Sequence, residues 1–256
     1  MAQWVRCMHA GEACYGQLEG DRVLLFDGSP YGAHAPTGAG IDVDEVEWLP
    51  PADPRNFLAL WSNFYERAEK ENLPIPAFPL YFLKTSCCLH PHLGPIRRPA
   101  GFDGAVKFEA ELGIVIKRPC FQVSVAQAPD YALGYTCVND VTAPAVLNEE
   151  PAFRQWTRSK SFPTFGPIGP VIDTDIDPAG LRVQAVLNGE VKQNYPVSDM
   201  IYSPNEVVSM ISQEVRMEPG DVIALGTSVG ACTLDPGDRI DVVVEGLATL
   251  SNRYEG

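Results

Sequence analysis

Lys107-Phe108-Glu109-Ala110-Glu111-Leu112-Gly113-Ile114-Val115-Ile116 decides how this chain is read. Period two puts Phe108, Ala110, Leu112, Ile114 and Ile116 on one apolar face, the mark of a strand over residues 105–116. Glu109 and Glu111 then share the opposite face. Two like charges held side by side repel unless a cation lies between them. A hard divalent metal is the cation that takes oxygen ligands. The competing reading is a pair of surface glutamates.

A third oxygen ligand is offered by Asp140, at the end of Gly134-Tyr135-Thr136-Cys137-Val138-Asn139-Asp140. An apolar strand delivers it to a strand end, within reach of a neighbouring strand, although an Asn-Asp turn has the same local sequence. Glu109, Glu111 and Asp140 form an all-oxygen set. It suits Mg²⁺, Mn²⁺ or Ca²⁺ better than zinc, which prefers nitrogen and sulfur.

Composition bounds the partners. The chain has 256 residues, 45% hydrophobic and 9% aromatic, enough to build a sizeable core. Its formal net charge is −14, from 33 acidic and 19 basic residues. Nucleic acid and anionic membranes both need basic surface and are disfavoured as partners. A small carboxylate substrate needs only one or two local cations. The seven cysteines show no CxxC and read as reduced, mostly buried thiols. No apolar run is long enough to cross a bilayer, and the N-terminal segment has no signal-peptide core, so a soluble cytoplasmic protein is expected.

Short strands are expected over Gln3–Met8, Tyr15–Leu18 and Val23–Phe26, and residues 28–55, rich in Gly and Pro, read as a linker or long connection. A small N-terminal β domain over residues 1–50 would precede a second domain over 51–256. In that domain Asn56–Leu60, Leu80–Lys84 and Leu133–Val138 read as strands, and Asn63–Asn72 as an exposed helix or mobile segment. Pro204–Val215 reads as a helix with Ser203 as cap and Glu206 completing a capping box. Two Pro-Gly-Asp turns, at 219–221 and 236–238, each feed a strand. Strands dominate without regular βα alternation, which argues against a Rossmann fold or an α/β barrel.

Two further segments bear on chemistry. Lys160 precedes the stretch Ser161–Pro170, read as a rigid Gly/Pro loop. There it could meet a carboxylate or enolate as a point charge, or simply be a solvated surface lysine. Gly226-Thr227-Ser228-Val229-Gly230 follows a strand and could present backbone N–H groups to an anion, as small-residue turns often do.

The ordered series FEAELGIVI, GYTCVND, KSFPTFGPIGP, LNGEVKQNY, PGDVIALGTSVG and PGDRIDVVVEGLATLSN resembles the fumarylacetoacetate hydrolase superfamily over about residues 56–256. The resemblance implies a mainly β architecture with some α, a mixed β-sandwich roll as catalytic domain, usually in a homodimer. It implies Mg²⁺ or Mn²⁺ on Glu109, Glu111 and Asp140. It places Lys160 toward the substrate, Thr227 near the substrate carboxylate, and Gln193 at the pocket border. The substrates implied are 2-oxo acids and 1,3-dicarbonyl acids, on which a Lewis-acidic metal can serve hydrolysis, decarboxylation, tautomerisation or hydration.

Two departures from the family pattern matter. Hydrolytic relatives carry a lid motif like NYxxHAxE, whose His and Glu activate water. The matching stretch, Trp61–Glu71, has no histidine: the His position falls on Arg67, or on Tyr65 in a shifted register. Neither is a good base near neutral pH. His90 and His92 are the nearest histidines in sequence that could replace it. After Asp140, relatives have Arg and Gln in NDxxARDxQ, where this chain has Pro144 and Leu147; Arg154 or Arg158 could supply the missing charge. The expectation is a metal-dependent enzyme cleaving a C–C bond of a 2-oxo or 1,3-dicarbonyl acid, with hydrolysis placed first. Decarboxylation or keto–enol isomerisation is the alternative. A non-catalytic ligand-binding member is the second alternative.

Overall fold

The structure is a computed structural model, and residues 2–256 are described. The chain opens as an antiparallel meander of β1 (Gln3–His9), β2 (Glu12–Glu19), β3 (Arg22–Gly28) and β4 (His34–Asp42). The short β5 (Glu47–Leu49) returns to pair with β1. Next come β6 (Phe57–Trp61), α1 (Tyr65–Lys70), β7 (Leu80–Lys84), β8 (Leu89–His90), β9 (Ile96–Arg97), β10 (Ala110–Ile116) and β11 (Ala132–Asn139). Two short helices, α2 (Pro144–Leu147) and α3 (Trp156–Lys160), lead into β12 (Gly166–Asp173). The hairpin β13 (Arg182–Leu187) and β14 (Glu190–Pro196) precedes α4 (Pro204–Ser212). The strands β15 (Val222–Ala224), β16 (Arg239–Val244) and β17 (Leu250–Glu255) complete the chain.

These strands make two mixed sheets. The longer runs β4-β3-β2-β1-β12-β11-β10-β15-β6-β7, with β5 beside β1 and β8 beside β12; the shorter runs β14-β13-β16-β17-β9. Strands β13, β16 and β17 lie against β10, β11 and β12, so the middle of the long sheet is covered by the short one. This is the mainly β architecture expected. The first strands are an extension of the long sheet, joined through Gln3 opposite Asp173 and Trp4 opposite Ile172.

Burial in the middle departs from simple alternation. Phe108, Ala110, Leu112, Ile114 and Ile116 are buried, but so are Glu111, Gly113 and Val115. A strand covered on both faces has no solvent side, so a charged residue on it must find partners inside. The strand also starts later than expected, at Ala110. Lys107 instead makes isolated bridges to Thr142 and Thr233.

Two Gly/Pro-rich stretches are more regular than their composition suggested. Residues 28–55 hold β4 and β5. Strand β4 is an edge strand, where Pro36 need not donate to a ladder, and it sits beside a register shift between Leu24 and Phe26. Residues 166–173, expected to begin as loop, form the buried strand β12. Its pairing with β11 is irregular between Tyr135 and Cys137, next to Gly169 and Pro170, so the missing proline N–H falls at a break in the ladder.

The capping box at α4 is present: Ser203 Oγ accepts from Glu206 N–H, and the Glu206 carboxylate accepts from Ser203 N–H. The helix stops at Ser212, three residues before the expected end. Of the cysteines, Cys7, Cys88, Cys120 and Cys137 are buried while Cys87 is exposed, and all seven are free thiols. No helix among the described residues is long and apolar enough to cross a membrane.

The two candidate replacement histidines have structural settings. His90 lies on β8. His92 Nδ1 accepts from Ser251 N–H at 3.0 Å, and its ring meets Trp48 edge-on at 5.3 Å. Burial pushes His92 down to about 4 from 6.5. The folded state therefore binds fewer protons than the unfolded chain between those values, and stability falls as pH drops from 6.5 to 4. We expect His92→Gln to flatten that part of the stability–pH curve in urea titrations at each pH; an unchanged slope would count against this role.

Candidate metal centre

The backbone first brings the carboxylates together. Asp140 N–H donates to Glu109 O at 2.9 Å, and Lys107 and Thr142 exchange both backbone bonds, at 2.8 and 2.9 Å. Glu109 N–H donates to the Asn139 side chain at 3.2 Å. The segment entering β10 is thus clamped to the segment leaving β11. One carboxylate oxygen from each of Glu109, Glu111 and Asp140 lies within 4.8 Å of the others. Glu111 and Asp140 are buried, and the Glu109 side chain is 14% exposed, giving the cluster one open side.

Two buried ammoniums answer these charges. Lys160, at the end of α3, donates to Asp140 Oδ2 at 2.5 Å, to Thr142 Oγ1 at 2.7 Å and to Glu109 Oε2. Burial opposes its charge, but the ion pairs with Asp140 and Glu109 outweigh it and hold the ammonium above the usual lysine range. Lys84, at the end of β7, donates to Asp140 Oδ1 at 2.6 Å and to the carbonyls of Phe165 and Lys160. Burial alone would raise the Asp140 carboxyl; Lys160 and Lys84 together hold it below the usual range.

Lys84 was missed from sequence, where a lysine closing the apolar run Leu80–Lys84 looks like a strand end reaching solvent. Nothing in the local sequence argues against that inexpensive placement. In the fold the strand neighbour of Lys84 is the buried Phe57, so the charge there has to be paired.

Glu111 is treated differently. Its Oε2 accepts from Gly226 N–H at 2.9 Å, while Oε1 is buried with no hydrogen-bond partner. Burial first, then Asp140 and Glu109, push its carboxyl well above the usual range. Gly226 has φ +87°, and that left-handed turn directs its N–H to the carboxylate. The first N–H of the Gly226–Gly230 turn is therefore spent on a carboxyl of the protein itself.

The remaining expected residues fall into two groups. Thr227 Oγ1 donates to Ala110 O at 2.9 Å and accepts from Gln193 Nε2 at 2.8 Å. Gln193 Oε1 accepts from Ala110 N–H at 3.0 Å, and Tyr195 OH donates to Ala110 O. Gln193, Thr227 and Tyr195 thus brace the one residue between Glu109 and Glu111. Arg67 Nη1 reaches Thr227 O at 3.5 Å, placing the lid helix over this brace.

The other group lies elsewhere. Arg158 is half-exposed and ion-paired to Glu149. Tyr65 is 49% exposed and lines a surface hollow with Asn72 and Pro74. Arg154 lines a separate aromatic hollow with Trp61, Phe82 and Trp156.

The cluster fits a hard divalent cation. Three carboxylates against two ammoniums leave one negative charge, the donors are all oxygen, and Glu111 keeps a buried oxygen without a partner. Glu109, Glu111 and Asp140 would hold the ion. Glu111→Gln keeps the Gly226 bond and removes one charge. We expect Mn²⁺ affinity in calorimetry to fall by about 100-fold or more, with no loss of metal-free stability because an uncompensated buried charge is removed. Retained Mn²⁺ affinity, or a large drop in metal-free stability, would contradict this assignment.

Comparison with known proteins agrees with the geometry. The family model for the fumarylacetoacetate (FAA) hydrolase C-terminal domain matches residues 52–255, and an Rv2993c-like N-terminal model matches residues 2–51. The chain is 38% identical over 226 residues to protein Rv2993c of Mycobacterium tuberculosis, covering 87% of this chain and 84% of that one. It is 30% identical over 215 residues to the oxaloacetate tautomerase YisK of Bacillus subtilis, covering 79% and 70%. A crystal structure of 2-hydroxyhepta-2,4-diene-1,7-dioate isomerase from Mycobacterium marinum superposes with a TM-score of 0.90 at 34% identity, over 100% of this chain and 98% of that one. With its carboxylate triad, its two-sheet architecture and a family match over most of its length, the chain belongs to the fumarylacetoacetate hydrolase family.

Proposed function

We propose that the chain is a divalent-metal-dependent tautomerase of 2-oxo acids, moving a proton between the carbon beside the keto group and the keto oxygen. The observation that carries this reading is a protonated Lys160 set directly on the carboxylate triad, under a lid without a neutral base. A divalent cation held by Glu109, Glu111 and Asp140 would act as a Lewis acid toward the 2-oxo group and make the neighbouring C–H more acidic. Lys160 Nζ is the proton-bearing group beside it. As charge develops on the keto oxygen Lys160 gives that oxygen a proton, and the amine so formed takes the proton from C3 and becomes an ammonium again; the reverse direction runs the same two transfers backwards. Lys84 keeps Asp140 ionised throughout, and the Gln193–Thr227–Tyr195 brace fixes the spacing of the two glutamates.

Hydrolytic cleavage, expected first from the superfamily, takes second place. It needs a base to activate water. In the pattern NYxxHAxE anchored at Asn63, His falls on Arg67 and the final Glu on Lys70. The neighbouring Glu66 is tied to Lys70 at 2.7 Å and accepts from Ser228 Oγ at 3.0 Å, and both bonds hold its carboxyl below the usual range. The names of the similar tautomerase and isomerase support the same choice.

With Mn²⁺ in D₂O, the protein should speed exchange of the C3 protons of 2-oxo acids, read by proton NMR, without releasing acid fragments or CO₂. Lys160→Met should slow exchange by about 100-fold or more, the range of a lost acid–base group. Stoichiometric acid fragments from an acylpyruvate would restore the hydrolytic reading. CO₂ release from oxaloacetate above the metal-only rate would point to decarboxylation.

A further inference from the structure

Arg67 is the cation left over beside the candidate centre. Lys84 and Lys160 are consumed by the carboxylates, and Arg158 is half-exposed, lining a surface hollow with Phe102 and Phe162. The position where relatives carry an arginine after Asp140 is Pro144 here. The Arg67 side chain is only 17% exposed, its guanidinium spanning from Glu71 at the rim to the backbone of Thr227. Its Nη1 meets Thr227 O, and the same threonine's hydroxyl holds Ala110 O, between the two glutamates. Tyr195, bonded to that same carbonyl, lies in the field of Glu111, Glu109 and Arg67 alike.

The guanidinium is also under-used. Of its five N–H donors, one goes to Glu71 at 3.2 Å and one to Thr227 O. Glu71 is 44% exposed, so this ion pair sits at the rim, where such pairs contribute little and exchange partners easily. The lid that carries it is well anchored. The Asn63 side chain donates to Leu225 O at 3.0 Å and accepts from Tyr202 N–H at 3.0 Å, and Glu66 N–H donates to Asp199 at 3.0 Å.

We propose that Arg67 is the specificity residue of this site, binding the second carboxylate of a 2-oxo diacid whose 2-oxo carboxylate end lies at the Glu109–Glu111–Asp140 cluster. The carboxylate replaces Glu71 on the guanidinium fork, which suits bidentate recognition. The inference rests on the reading of the cluster as a 2-oxo acid site. It gives the lid a substrate-selecting role in place of water activation.

The test uses a pair of analogues that can neither enolise nor lose CO₂ as β-keto acids, so that binding is read apart from turnover: 3,3-dimethyl-2-oxoglutarate, a diacid, and 3,3-dimethyl-2-oxopentanoate, a monoacid. Titration calorimetry on the Mn²⁺-loaded protein should show about a 100-fold preference for the diacid, as expected for a charge-assisted bidentate pair. Arg67→Met should erase that preference by weakening diacid binding alone, Arg67→Lys should restore part of it, and Arg154→Met should leave it intact. Circular dichroism verifies that each variant is folded. Equal affinity of the wild type for both analogues, an equal loss for both in Arg67→Met, or loss of the preference in Arg154→Met overturns the proposal. The tautomerase reading is judged separately by C3 exchange. Exchange with an Arg67-independent preference refutes only the role of Arg67; an Arg67-dependent preference without exchange refutes only the tautomerase.

Discussion

Four buried charged side chains and the nearly buried Glu109 converge in the middle of the long sheet, and their mutual neutralisation is the constraint on which the surrounding structure depends. Glu109, Glu111 and Asp140 cannot stay ionised there alone, since an unpaired buried charge costs several kcal/mol or shifts its own pKa. Lys84 and Lys160 compensate most of the charge but not all of it. The residue is concentrated at Glu111, whose carboxyl is pushed up and whose Oε1 has no partner. A bound cation relieves that imbalance, so stability and ligand binding draw on the same electrostatics.

The fold can be understood as the means of converging these five residues. They come from four places in the chain: the entry to β10, the exit of β11, the end of β7 and the end of α3. Antiparallel pairing of β10 with β11 sets Ala110 opposite Asn139, which puts Glu109 and Asp140 at adjacent strand ends. The Gln193–Thr227–Tyr195 brace reaches over from β14 and the turn after β15, tying the second sheet to the centre. The lid rests on that turn, so what α1 carries is presented beside the carboxylates. Charges on α1 balance, Glu66 and Glu69 against Arg67 and Lys70, but Arg67 is the one that reaches Thr227, where a guanidinium suits an anionic substrate tail and not the activation of water.

Much of the centre was legible in the sequence because acidic residues flanked by apolar strand residues are costly and conspicuous. Glu109, Glu111 and Asp140 stood out for that reason, and Lys160 and Thr227 through their place in an ordered motif series. Lys84 escaped because one lysine at a strand end has an inexpensive alternative, reaching solvent with its long stem. Gln193 was placed near the pocket, but its role as a brace depends on a hydrogen bond across two sheets that no local pattern encodes. In the fold, Gly and Pro were the misleading letters. They mark loops on average, yet in β4 they occupy an exposed edge and in β12 they coincide with a break in the ladder.

The central claim is that the residual negative charge at this cluster is completed by a divalent cation. Diffraction at the manganese absorption edge from crystals grown with Mn²⁺ tests it most directly. The account predicts one strong anomalous peak touching carboxylate oxygens of Glu109, Glu111 and Asp140, with Lys160 Nζ drawn away from Glu109. No peak there at saturating Mn²⁺, with Lys160 still joining Glu109 to Asp140 and Glu111 still without a partner, would contradict it.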